Sequence, residues 1–352
     1  MFGKYYETFG KMAAKVARPE DSATPDPMLV ECLAAARKEL PEDYKEVARG
    51  EALAATKPEE AKQVLEAVAK NPGTSARAQR SAANVLLNRL FKYAEAVTAY
   101  ELALKLAVDE EGEQSEQAAL VNLDLATARF YVNDLAGAEA AIAKTIAWGE
   151  AQSPRHEQSL AVCYGTRAAI RRHRGLLNDA ADDIDKAIAW GEAQSSRDEH
   201  SLAIWYASRA RIRRDQKQYP QALADIDRSL TWAKAQQPID NLGIAIWSGD
   251  RATILAEMDR IPEALENIAH SIAWYRQHQP EAELHIAFIL RDQARILAYA
   301  GDWTKAASAI GESLRCYRAV FGPDHEWTRK ARAWRDAIGR REVPARWIDT
   351  AP

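Results

Sequence analysis

The sequence predicts an all-α solenoid built from stacked antiparallel helix hairpins. Three observations carry the prediction. The string IAWGEAQS occurs at 146–153 and again at 188–195, an offset of 42 residues. The same step joins columns of small and apolar residues down most of the chain. Within each step the apolar residues recur at helical spacing in two runs, with a break signal between units. A single hairpin cannot bury its own apolar faces, so such units must stack.

Composition agrees with a folded helical chain. Of 352 residues 47% are hydrophobic and 28% charged, with only 16 Gly and 14 Pro, which excludes a disordered or loop-rich protein. Lys and Arg total 47 against 51 Asp and Glu, a net charge of −4, without the basic excess of a nucleic-acid binder. Three Cys (Cys32, Cys163, Cys316) are too few and scattered for a disulfide framework or a zinc site. No apolar run reaches the roughly 18 residues of a membrane span. Residues 1–27 lack the apolar core of a signal peptide. Free thiols and no export signal lead to the expectation of a reducing cytoplasm.

The elements follow in order. Residues 1–27 are aromatic, then basic, then rich in Pro and Asp, and are expected to form a mobile or loosely docked arm. Residues 28–74 should hold an N-terminal helix at 28–40 and an irregular hairpin at 43–70, with Ala61 and Leu65 on its second helix. The solenoid is expected over 75–322. Its first hairpin has one helix at 75–90 and a second carrying Tyr93, Ala96, Tyr100 and Ala103. Five more regular units follow. Their small columns are Ala126, Ala168, Ala210, Ala252 and Ala294, and Ala138, Ala180, Ala222, Ala264 and Ala306. Ile142, Ile184, Ile226, Ile268 and Ile310 form a large column, and Thr145, Ala187, Ser229, Ser271 and Ser313 another small one. Small residues let the two helices of a hairpin approach, and the Ile column fills the space against the next hairpin. Trp148, Trp190, Trp232 and Trp274, continued by Cys316, read as packing, as do Trp205 and Trp247 at the seam between hairpins. Asp134, Asn178, Pro220, Pro262 and Asp302 stand where second helices should start. Residues 323–352 are expected to be a capping helix at 324–338 and a polar tail.

This spacing of small and large columns resembles the tetratricopeptide repeat, and the 42-residue period is similar to the long repeats of kinesin light chains. The segment Phe321-Gly322-Pro323-Asp324-His325 also resembles the inter-repeat turn of that subclass. The resemblance is strong over 75–338 and weaker over 43–74. It implies a right-handed superhelix whose first helices line a concave groove, a surface that commonly binds peptides or extended protein segments.

A helical wheel selects the residues that should face such a groove. They include Gly165 and Gly249, where backbone would be accessible, and Arg211, Arg291 and Arg295. Arg172, Arg214, Tyr131, His173 and Tyr299 complete the candidate partner-binding set. Two first helices are locally basic without an acid: 160–174 (Arg167, Arg171, Arg172, Arg174) and 202–214 (Arg209, Arg211, Arg213, Arg214). Guanidinium forks suit carboxylates or phosphates. One reading is a groove for an acidic or carboxylate-bearing peptide. Another is that these arginines pair with acidic second helices, such as 178–194 with Asp182, Asp183 and Asp185, and hold the solenoid together. Arg167, Arg209 and Arg251 point between hairpins and belong to the second reading.

Catalytic chemistry is not legible. The phosphate-loop, dinucleotide and H-E-x-x-H signatures are absent, the seven His show no ligand spacing, and Cys163 sits in an apolar run. The expected protein is therefore a non-catalytic scaffold or adaptor without cofactor or metal, holding a protein or peptide partner. The alternative is a structural subunit that self-associates through its termini or convex face, suggested by the arm at 1–27 and by Trp334 and Trp347, which are expected to be exposed.

Overall fold

Helix starts follow from local chemistry. Asp134, Asp198, Asp240 and Asp302 each accept the backbone N–H three residues on, from Gly137, Ser201, Gly243 and Lys305. Pro220 and Pro262 occupy first turns, where their missing N–H costs nothing. First helices of the regular repeats end alike. Asn133, Gly175, Lys217, Asp259 and Gly301 stand 42 residues apart and all have positive φ, between 59° and 77°. The next N–H reaches back five residues, as from Leu176 to the Arg171 carbonyl at 2.9 Å and from Gln218 to Arg213 at 2.8 Å. This is the Schellman ending, and only two of its five αL positions hold glycine.

The computed structural model describes residues 42–345 apart from 55, 72, 154–156, 196 and 281. The expected arm at 1–27, the helix at 28–40 and Trp347 lie outside these residues. Fifteen helices are described. They are α1 (Glu42–Leu53), α2 (Pro58–Lys70), α3 (Ala76–Asn88), α4 (Tyr93–Glu111), α5 (Glu116–Tyr131), α6 (Leu135–Ala151), α7 (Glu157–His173) and α8 (Leu177–Ala193). Then follow α9 (Glu199–Asp215), α10 (Tyr219–Ala235), α11 (Asn241–Glu257), α12 (Ile261–His278), α13 (Glu283–Tyr299), α14 (Trp303–Phe321) and α15 (Glu326–Gly339). No described helix is long and apolar enough to cross a membrane.

The chain divides after Ala128 into two compact units. In the first, α1–α2 and α3–α4 are hairpins. Leu65 and Tyr100 are fully buried, and the Tyr100 hydroxyl donates to Asn84 at 2.7 Å.

The second unit stacks the hairpins α7–α8, α9–α10, α11–α12 and α13–α14 behind α6, with α15 as a cap. Every alanine of its Ala168 and Ala138 columns is 0% exposed, and the Ile142 column is at most 1% exposed. Within the small column, Ser229 and Ser313 donate to the Ala203 and Ala287 carbonyls of the paired helix at 2.7 and 2.8 Å. Trp190 and Trp205 meet edge to face at 6.3 Å, and Trp232 and Trp247 repeat the contact at 6.1 Å. Trp334 corrects an expectation: it is buried in the cap, 3% exposed, because α15 packs its apolar face on α14.

The second unit also winds back on itself. Asn133, just past α5, donates to Glu326 at the start of α15 at 2.6 Å, and His325 lies 3.3 Å from the Val132 carbonyl. The Tyr131 and His285 rings are 6.1 Å apart. The segment that opens this unit thus touches the start of its last helix.

Candidate functional site

In each first helix of the second unit, residues spaced 4, 3 and 4 apart form one stripe. In α9 it is Ile204, Ser208, Arg211 and Asp215; in α11 it is Ile246, Asp250, Thr253 and Glu257; in α13 it is Phe288, Asp292, Arg295 and Tyr299. These stripes carry ion pairs running from one first helix to the next, and so form a continuous charged floor across the first helices.

The centre of the floor is Asp215, whose side chain is 1% exposed. It accepts Arg172 Nη1 at 2.7 Å and both Nε and Nη2 of Arg214 at 3.0 and 2.9 Å. Burial alone would raise this carboxyl, but Arg214 and Arg172 outweigh it and hold the group well below the usual carboxylate range. Arg214 also donates to the Thr253 hydroxyl at 2.7 Å. Arg211 grips Asp250 through Nε and Nη2 at 2.9 and 2.6 Å and is 30% exposed, the most open of the floor arginines. Arg172 Nη2 lies 2.6 Å from His173 Nε2, so that nitrogen must be the acceptor. Burial and the neighbouring Arg172 keep the imidazole neutral, well below its ordinary pKa.

A second cluster continues the floor. Arg291 pairs with Asp292 at 2.8 and 3.0 Å and lies over the Phe288 ring. Arg295 donates to Glu257 at 2.6 Å, to the Tyr299 hydroxyl at 2.7 Å and, through Nε, to the backbone carbonyl of Pro344 at 3.1 Å. Pro344 is buried in the non-helical segment after α15. A non-helical stretch of this chain therefore already offers a backbone carbonyl to a floor arginine.

The predicted residues thus separate. Arg172, Arg211, Arg214 and His173 share one network, and Arg295 and Tyr299 a second, with Arg291 between them. Tyr131 packs on His285. The two glycines are corrections. Gly165 is buried, and a Cβ there would lie 2.8 Å from Trp205 Nε1. Gly249 faces Ser271, whose hydroxyl would be 3.2 Å from its Cβ. Both let neighbouring side chains pack; Gly165 offers no open backbone, and Gly249 is half-buried. The acids Asp250 and Asp292 were not singled out from the sequence. Their signal was an Asp one helical turn before the Thr253 and Arg295 column.

The other arginines hold the hairpins together. Arg167 and Arg171 share Asp183 of α8, each at 2.7 Å, and Arg209 and Arg213 share Asp225 of α10 at 2.9 and 2.7 Å. Arg251 pairs with Asp227 at 2.8 Å. These partners are on second helices, as the wheel angle predicts. For Arg172, Arg211 and Arg214, by contrast, the partners are on first helices.

No family model matches the chain, and no curated protein matches it. Among solved structures it is similar to a Rap protein complexed with competence and sporulation factor (TM-score 0.60, 9% identity, 96% of either chain covered). Weaker likenesses are to BtubC (BKLC) from P. vanneervenii (TM-score 0.46, 14% identity, 67% of this chain and 92% of that one). The TPR protein YrrB gives a TM-score of 0.33 at 17% identity, over 66% of this chain and 98% of that one. With its 42-residue columns and stacked hairpins, the chain is a tetratricopeptide-repeat-like α-solenoid.

Proposed function

We propose that this chain is a non-catalytic recognition scaffold that holds an extended peptide segment on the inner floor of its second unit. Fold alone does not give function. The observation that carries the reading is the Arg295–Pro344 contact: a floor guanidinium takes a peptide carbonyl while keeping its Glu257 partner. The similar Rap structure is itself a complex, with competence and sporulation factor.

Charge refines the ligand. The floor sets five arginines (172, 211, 214, 291, 295) against Asp215, Asp250, Asp292 and Glu257. His173 is neutral, so one positive charge is left over. That excess favours a segment bearing a carboxylate, and Arg211, the most exposed of these arginines, is the group to meet it. The protein would act as an adaptor within the cytoplasm.

The test is selection from a peptide library displayed on phage, with wild type beside Arg211→Gln/Arg295→Gln, both checked by circular dichroism. Sequences enriched by wild type and lost by the folded variant support the reading. Equal enrichment by both would move recognition off the floor. Charge reversal at Arg172 or Arg214 is unsuitable, because it would set a carboxylate against buried Asp215.

A further inference from the structure

The floor stripes do not end in charge. At their N-terminal ends stand Val162 on α7, Ile204 on α9, and Leu242 and Ile246 on α11, each on the same stripe as the floor residues below it. Val162, Ile204 and Leu242 are 39%, 43% and 38% exposed. Ile239, in the turn before α11, is 53% exposed. These four make up most of the large apolar side chains left open among the described residues; three sit on successive first helices and the fourth in the turn that leads into α11. Scattered exposed aliphatics need no explanation, but a row of them beside a charged floor does.

We infer that this row is the second half of the peptide site, and that the ligand is an extended segment alternating aliphatic and acidic side chains. The inference rests on the proposed recognition of a peptide by the floor. Ile204 and Arg211 are seven residues apart on one helix, about 10 Å along its axis. An extended chain running from repeat to repeat points successive side chains to opposite edges, with tips about 10 Å apart. Aliphatic residues then reach the apolar rim while acidic residues reach the arginine floor. Three first helices spaced about 8–10 Å apart span a rim roughly 16–20 Å long, the length of about six extended residues. Charge complementarity fixes the acidic edge, since the floor carries one uncompensated positive charge.

Three fluorescein-labelled heptapeptides test this by anisotropy: one alternating leucine and aspartate, one alternating serine and aspartate, and one with the leucine and aspartate residues in two blocks. Each is titrated into wild type, Val162→Ser/Ile204→Ser and Arg211→Gln. The rim substitutions are at exposed positions, and circular dichroism checks their fold. The expected result is that the alternating leucine peptide binds wild type at least tenfold tighter than the other two, and loses that advantage on the rim variant. Equal binding of the serine and leucine peptides, weakened only by Arg211→Gln, would overturn the rim and leave the floor reading intact. Failure of all three to bind wild type would overturn the rim inference, and the phage selection would then decide the floor by itself.

Discussion

Asp215→Asn is the most informative single change to the floor. The carboxylate is 1% exposed and accepts three guanidinium hydrogen bonds from Arg172 and Arg214. The amide keeps the shape but removes the charge, which leaves two largely buried cations without their counter-ion. Breaking a buried pair in this way costs about 3–5 kcal/mol. In a domain of this size each kcal/mol moves the thermal midpoint by about 2–4 °C, so the variant should melt roughly 6–20 °C lower by calorimetry at pH 7. Asp185→Asn is the contrast. That carboxylate also meets an arginine, Arg209 at 3.0 Å, but is 57% exposed, and its loss should cost at most about 1 kcal/mol. The pH dependence carries the same sign. Because the folded Asp215 titrates below the ordinary value near 3.9, its contribution is complete above about pH 4 and is lost as pH falls further. The gap between wild type and Asp215→Asn should therefore hold from pH 7 to about 5 and narrow below about 4. Replacing all three residues together by apolar ones (Arg172→Met, Asp215→Leu, Arg214→Met) should cost less than Asp215→Asn alone, because no charge is stranded. A midpoint for Asp215→Asn within about 2 °C of wild type would refute the buried network.

Two further predictions concern packing and backbone. Gly165→Ala and Gly191→Ala each place a Cβ within 3 Å of the Trp205 indole, at 2.8 and 2.9 Å, and should each cost about 1–3 kcal/mol. Trp205→Leu should rescue much of the Gly165→Ala loss in a double-mutant cycle but less of the Gly191→Ala loss, because Leu202 also stands 2.9 Å from that Cβ; simple additivity at Gly165 would show that the indole is not the obstacle. Lys217 holds the αL position that Gly175 and Gly301 hold in other repeats, so Lys217→Gly should raise stability by about 1 kcal/mol in urea titration. A loss there would mean that its φ of 64° is not strained.

The fold was legible because its determinants are local and repeated. A 42-residue step puts alanine at each helix crossing, and those alanines are fully buried in the second unit. The wheel angle that sent Arg167, Arg209 and Arg251 between hairpins needed only one helix at a time. The floor was less legible because it is made between helices. Arg211 finds Asp250 across 39 residues, and Arg172 finds Asp215 across 43, offsets that bracket the repeat length. Such offsets follow from how one first helix slides along the next, which no single helix encodes. Gly165 and Gly249 illustrate the same limit. Their smallness read as open backbone, but smallness equally admits a neighbour, and here the neighbours are Trp205 and Ser271.

The two readings of the arginines need not exclude each other. A guanidinium has five donors in a fixed plane, and a carboxylate occupies two of them side on. Arg295 divides its donors among Glu257, Tyr299 and the Pro344 carbonyl. The acid pair fixes the plane of the fork, and the remaining edge is then held ready for a carbonyl or carboxylate of the ligand, with little side-chain entropy left to lose. Unpaired arginines on the same wall would attract acids more strongly at long range, but each would have to be ordered on binding, at about 0.5–1.5 kcal/mol per side chain. Burying them paired shifts that cost from binding to folding. It also predicts selectivity through geometry more than through charge, because a floor with one net positive charge rejects polyanions that a bare arginine cluster would hold. Binding to the floor should accordingly depend on salt only weakly, as expected for a single screened charge, and a steep salt dependence would argue that the floor pairs open on binding.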